Sequence, residues 1–135
     1  MNVDDLARVA EVDAAAFEPL WQNSLSTLRR AFSQAAYASV AEDELGLVGY
    51  QLSTGNRFGA HLARLAVRPA AQKRGIASAL IGVLMENVRR AESLLHITVN
   101  TQSDNMASLT LYEKIGFQRT GEQYPIYIYR GGDGI

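Results

Sequence analysis

Near the middle of the chain, Gln72-Lys73-Arg74-Gly75-Ile76-Ala77 sets two cations and a glycine at the start of an apolar-periodic segment. A helix start ordinarily carries an acidic or hydroxyl cap. Its first N–H groups lack partners, and the helix dipole leaves partial positive charge there. Lys73 and Arg74 add to that charge instead of neutralising it. Such a turn suits a phosphate or pyrophosphate, with Gly75 and Ala77 leaving room for close approach. A basic surface turn ahead of an ordinary helix has the same short sequence, so the fragment alone leaves both readings open. It lacks the Gly-Lys-Ser/Thr run of a Walker loop, which excludes a kinase-like nucleotide site.

Proton chemistry near neutral pH has two histidines to draw on, His61 and His96. Two histidines and no cysteine argue against a metal site and exclude disulfides, and a reducing cytoplasm is the expected compartment. The formal net charge of −1 argues against broad nucleic-acid binding. No apolar run of membrane-spanning length or signal-peptide pattern is present, so no membrane partner is expected. At 135 residues, 47% hydrophobic and 20% charged, the chain reads as one globular domain over residues 1–135.

The elements that must position these groups follow from periodicity. Leu6, Val9, Val12, Ala16 and Phe17 have helical spacing, and residues 24–36 read as a second helix capped by Ser24 or Ser26. Residues 37–43 and 45–54 read as strands around a tight turn near Asp43 to Gly46, and residues 60–67 as a third strand stopped at Arg68-Pro69. From Gly75 the pattern is helical, with Ile76, Leu80, Val83, Leu84, Val88 and Ala91 on one face. Residues 94–100 form a strand with Leu95, Ile97 and Val99 on one side and His96, Thr98 and Asn100 on the other. Residues 103–117 form a short helix opened by Ser103 or Asp104 and closed by Gly116. Residues 118–130 are strand-like, as a hairpin at Gly121 or one long bent strand. The order predicts a mixed α/β domain, with a mostly antiparallel sheet and a β-α-β crossover that puts two parallel strands in the middle.

Two stretches carry a resemblance. "LAVRPAAQKRGIASALIGVLM" is similar to the acyl-CoA-binding segment of the GNAT superfamily of N-acyltransferases, with Gln72, Gly75 and Ala77 at the motif positions. "NMASLTLYEKIGF" resembles the family's second signature through Asn105, Ala107, Leu111, Tyr112, Gly116 and Phe117. The resemblance spans roughly residues 37 to 130. It implies a splayed parallel pair in the sheet and acetyl-CoA as co-substrate, with no metal. It also implies a pyrophosphate cradle from the main-chain N–H groups of Lys73, Arg74, Gly75, Ile76, Ala77 and Ser78, and a pantetheine arm along Leu65, Ala66 and Val67.

Acyl transfer to an amine needs a neutral amine, a stabilised oxyanion and a protonated leaving thiolate. The resemblance assigns Tyr112 as general acid and Asn105 as an orienter of the cofactor arm, with Ser108 on the same helical face; Tyr112 packing on the sheet and Asn105 capping the helix are the structural alternatives. The oxyanion falls to a main-chain N–H of Leu65 or Val67, aimed by a β-bulge near Leu65. Family members often carry a glutamate base on either of two strands; His61 and, approximately, Thr98 stand there. His61 is a candidate base with a pH limb near or somewhat above ~6.5. A structural histidine and a water chain are the other options.

The family normally opens with a strand before its first helix, and this sequence shows none, so a sheet edge is expected to be open to a homodimer. Glu42, Asp43, Glu44, Trp21, Arg57 and Tyr124 are loop residues that could meet an acceptor or serve only as surface. The sequence therefore predicts an acetyltransferase acting on a primary amine of a small metabolite, an amino sugar or a protein N-terminus. The alternative is an acyl-CoA-binding regulatory module with little or no catalysis.

Overall fold

The computed structural model describes residues 1–56, 59–91, 95–100, 106–119 and 126–131. Helices α1 (Leu6–Ala16) and α2 (Leu25–Gln34) lead into strands β1 (Tyr37–Asp43), β2 (Gly46–Asn56) and β3 (Gly59–Val67). Helix α3 (Ile76–Ala91), strand β4 (Leu95–Asn100), helix α4 (Met106–Ile115) and strands β5 (Gln118–Arg119) and β6 (Ile126–Gly131) follow. The predicted order of elements holds, and the tail forms two antiparallel strands rather than one. Among the described residues, a 3-10 turn at Val3–Asp5 precedes α1.

One six-stranded sheet runs β1-β2-β3-β4-β6-β5. Among the described residues its one parallel pair is β3–β4, which the α3 crossover makes the central one. Pairing there is limited to Ala60↔Ile97, His61↔Thr98 and Leu62↔Val99. β3 continues to Val67, past Leu62, the last residue it pairs with among the described residues of β4.

Helices α1 and α2 cover one face of the sheet, burying Val9, Val12 and Leu28 against Tyr50, Leu52 and Ala66. Helices α3 and α4 cover the other, where Ile81, Leu84, Val88, Tyr112 and Phe117 pack on Ala60, Leu62, Ile97 and Val99. Each fully buried Leu, Ile or Val in these layers contributes about 1.5–3 kcal/mol relative to exposure. Ser24 caps α2 by accepting from the Thr27 N–H at 3.2 Å, as expected.

The buried stripe of α3 is Leu80, Ile81, Leu84 and Val88. Val83 is 49% exposed, which corrects its assignment to the apolar face, and Ala91 is exposed too. The stripe centres between Leu80 and Ile81, and Val83 lies a third of a turn or more off that line. Among the described residues no helix is long and apolar enough to cross a membrane, and no group of His, Asp or Glu is arranged to hold a metal ion.

Candidate active site

The β3 strand carries the geometry that makes a site. Its register against β2 slips between Leu52↔Arg64 and Ser53↔Leu62, leaving Ala63 as the extra residue of a bulge. The bulge was expected near Leu65 and falls two residues earlier. Its effect on side-chain direction is visible in the packing. Leu62 faces α3 and α4, and so do Leu65 and Val67, while Ala66 faces α1. Simple alternation would have put Leu62, Arg64 and Ala66 together. The bulge instead turns Arg64 onto the α1 face, alongside His61.

His61 is half-buried, and its Nδ1 is 2.7 Å from Thr98 Oγ1. The two strand positions at which the family resemblance expects a glutamate are therefore adjacent across the parallel pair. Burial lowers the His61 pKa below its ordinary value. This corrects the expectation of a value near or above the ordinary one, because desolvation penalises the imidazolium form.

At the far end of β3, Pro69–Ala71 forms a 3-10 turn, and the Gln72 amide donates to Val67 O at 3.1 Å. Gln72 thus ties the basic turn to the strand end. Lys73 has φ +65° and Gly75 φ +79°. Residues of alternating hand, as Lys73, Arg74 and Gly75 are in φ, are the backbone pattern that turns successive N–H groups toward a common point, the form of an anion nest. A non-glycine residue held at positive φ marks strain of the kind found at ligand clamps. The first main-chain bond of α3 runs from Ala79 N to Gly75 O at 2.9 Å, leaving the N–H groups of Ile76, Ala77 and Ser78 in the open first turn. A Cβ at Gly75 would meet nothing within 4 Å, so glycine is required there by its φ and not by crowding. Arg74 is turned away, 3.0 Å from Asp43 Oδ2 on the β1–β2 hairpin. The Leu45 N–H and then Arg74 hold the Asp43 carboxyl below the usual range. Lys73, the other cation of the turn, is exposed.

An open cleft of about 920 Å³ lies between the end of β3, the basic turn and α4; His61, Thr98 and Tyr112 are not among the residues that line it. Leu65, Ala66 and Val67 form its floor, the turn from Gln72 to Ser78 closes one end, and Thr110, Leu111 and Lys114 of α4 line a wall. Ala16 and Phe17, at the end of α1, line it from the opposite face of the sheet. The cleft is therefore lined from both faces of the sheet at the end of β3.

Tyr112 is 6% exposed, with its ring 5.5 Å from that of Phe117. Phe117 N and Gly116 N both close back on the last turn of α4, onto Tyr112 O at 2.9 Å and Glu113 O at 3.1 Å. This Schellman closure folds Phe117 over Tyr112 and fixes the ring. Burial pushes the Tyr112 hydroxyl up to about 12. Ser108 lies on α4, and Asn105, Arg57 and Tyr124 fall outside the described residues. Glu42 lies near Arg8 at 3.6 Å and Glu44 is exposed on the hairpin, both beside Asp43 and away from Phe17.

Sequence reasoning missed a buried cluster on the α1 face. Asp13 is fully buried and accepts from Tyr50 Oη at 2.5 Å, Arg64 Nε at 3.0 Å and Asn23 N at 2.6 Å. A carboxylate among Val9, Val12 and Ala16 on the inner side of a helix is the signal that could have flagged it.

Comparison with known proteins agrees with this architecture. Residues 6–125 match the family model of the acetyltransferase (GNAT) domain. N-alpha-acetyltransferase RimI of Mycobacterium tuberculosis is 30% identical over 135 residues, covering 96% of this chain and 82% of the relative. The ribosomal-protein-S18-alanine N-acetyltransferase of Escherichia coli shares the fold, with TM-score 0.81 at 17% identity over 100% of this chain and 95% of that one. So does PaiA N-acetyltransferase of Thermoplasma acidophilum, solved in complex with coenzyme A, with TM-score 0.85 at 16% identity over 97% and 96%. With a bulged strand and a short central parallel pair carried by a sequence that matches the family model over most of its length, the chain belongs to the GNAT superfamily and is a GNAT-type N-acetyltransferase.

Proposed function

We propose that the protein moves the acetyl group of acetyl-CoA to the α-amine of a peptide or protein N-terminus, by direct attack in a ternary complex. The observation that carries this reading is the cleft lined from both faces of the sheet, with the basic turn at one end and His61 earlier on the strand that forms its floor. The α-amine is favoured over a metabolite or an amino sugar by the 30% identity to an N-alpha-acetyltransferase across 96% of the chain.

The turn fits a pyrophosphate: its strain at Lys73, its open N–H groups and the exposed Lys73 side chain all favour an anion. Acetyl-CoA, when bound, supplies an activated acetyl group and a thiol leaving group. Lys73, Arg74, Gly75, Ile76, Ala77 and Ser78 would hold the phosphates through their main chain, and Leu65, Ala66 and Val67 the pantetheine arm. Among the described residues no strand pairs with the β4 side of β3 beyond Leu62, so main-chain N–H groups of Leu65 or Val67 are assigned to meet developing negative charge. Asn105 and Ser108 are assigned to the same arm.

His61 is the base. In the tautomer whose Nδ1–H donates to Thr98 Oγ1, Nε2 carries the lone pair and accepts the ammonium proton, directly or through water. Tyr112 is the acid. Its raised pKa of about 12 keeps the hydroxyl protonated at neutral pH, the state a donor to a thiolate needs.

The test is free-thiol release from acetyl-CoA with a panel of alanine-led peptides, small metabolite amines and amino sugars. Turnover concentrated on the peptides is expected. Turnover with a metabolite or sugar amine and none with any peptide would overturn the acceptor assignment.

A further inference from the structure

The cluster around Asp13 has no place in the chemistry above, yet it is the most completely bonded polar group described in the fold. Arg64 reaches Asp13 through Nε at 3.0 Å and Nη2 at 2.9 Å. The same Nη2 donates to Trp21 O at 2.6 Å, and the guanidinium lies 3.7 Å over the Phe17 ring. Asp13 also accepts from Asn23 N, so one arginine and one carboxylate hold the α1–α2 connection at Phe17, Trp21 and Asn23. Tyr50 on β2 completes the cluster from beneath, its hydroxyl donating to Asp13.

Two placements give this cluster a role. Arg64 reaches the α1 face only because the β3 bulge turns it there, so the connection is bolted to the strand that floors the cleft. Phe17 and Ala16 line the cleft from that face, opposite the wall made by α4 and the nest. With the cofactor's phosphates at the nest, the α1 face is the one left for the acceptor, and His61 points to it.

We infer that Asp13, Arg64 and Tyr50 are positioning residues for the acceptor: they fix the segment from Phe17 to Asn23 as the acceptor-side wall, and so set acceptor affinity without touching the reacting atoms. The inference rests on the proposed ternary complex. A lysine at position 64 keeps the charge but cannot bond Asp13 through two nitrogens, bond Trp21 O and stack on Phe17 together.

The experiment uses Arg64→Lys and Tyr50→Phe in the full chain, with the alanine-led peptides as acceptors. Trp21 is the only tryptophan and is 52% exposed, so acrylamide quenching of its fluorescence reports the segment directly. In Arg64→Lys, KM for the peptide should rise about tenfold with kcat within about twofold, the pattern of lost uniform binding. Quenching of Trp21 should increase, and acetyl-CoA affinity should stay unchanged. Tyr50→Phe should show the same pattern more weakly. A lowered melting temperature with unchanged peptide KM would mean that the cluster only stabilises the fold, and would overturn the inference. If the wild-type protein turns over no peptide, the acceptor reading fails by itself. Trp21 then decides: unchanged quenching in Arg64→Lys overturns the positioning role, and increased quenching upholds the tether.

Discussion

His61 must be neutral to accept a proton, and burial lowers its pKa. Below that pKa the ring is imidazolium and cannot act; above it the base is ready. Activity should therefore rise with pH through a value below the unperturbed ~6.5, and be flat through neutrality. A pH–rate profile of kcat/KM checks this, and His61→Gln, which keeps hydrogen bonding without basicity, should lose the limb and most of the rate. Thr98→Val removes the partner that selects the tautomer, whereas Thr98→Ser retains it, so only the valine variant should slow turnover. An unaltered profile in both His61→Gln and Thr98→Val would assign the proton to water. Tyr112→Phe keeps the packing against Phe117 and removes only the hydroxyl. Turnover should fall about 10²- to 10⁴-fold with acetyl-CoA affinity intact, the usual worth of a general acid. Calorimetry and single-turnover kinetics separate the two effects.

Gly75 and Gly59 both have positive φ, +79° and +148°, but of the two only Gly59 is also crowded, and substitution should separate the two effects. At Gly75 the space is open but φ is +79°, so Gly75→Ala should cost about 1–2 kcal/mol from the left-handed conformation alone. Gly75→Glu adds a carboxylate at the nest and should abolish acetyl-CoA binding in a domain that still folds. Urea unfolding followed by calorimetry measures both; unchanged affinity would put the phosphates elsewhere. At Gly59 a Cβ would lie 2.0 Å from His96 O, because β3 starts directly against the main chain of β4. Gly59→Ala must push the parallel pair apart, at a cost of about 1–3 kcal/mol or more. The same displacement should pull His61 from Thr98, so this variant should lose turnover as well as stability. Alternation places Leu62 and Ile97 from sequence, but no local pattern announces that Gly59 faces a backbone.

At the scale of the whole molecule, the buried pair Asp13–Arg64 joins the α1–α2 layer to the sheet. Removing one partner leaves the other charge without its counter-ion in the interior, so Arg64→Ala should destabilise the protein by about 3–5 kcal/mol. The double variant Asp13→Leu, Arg64→Met should recover much of that loss, because no unpaired charge remains. Chemical denaturation of the three proteins decides it, and equal losses in single and double variants would show that packing and not charge is lost. The element order, the basic turn and the place of Tyr112 on its helix were determined by the sequence alone. Each rests on short-range signals: period 3.6 or 2 in the apolar residues, a glycine before a helix, a glycine after one. Tertiary structure alone decided three things: which way Arg64 points, that His61 meets Thr98 across 37 residues, and that Asp13 is buried at the junction of both. The reason is the bulge. One extra residue at Ala63 reverses the facing of every later residue of β3, and a period-2 pattern carries no mark of where that residue is inserted.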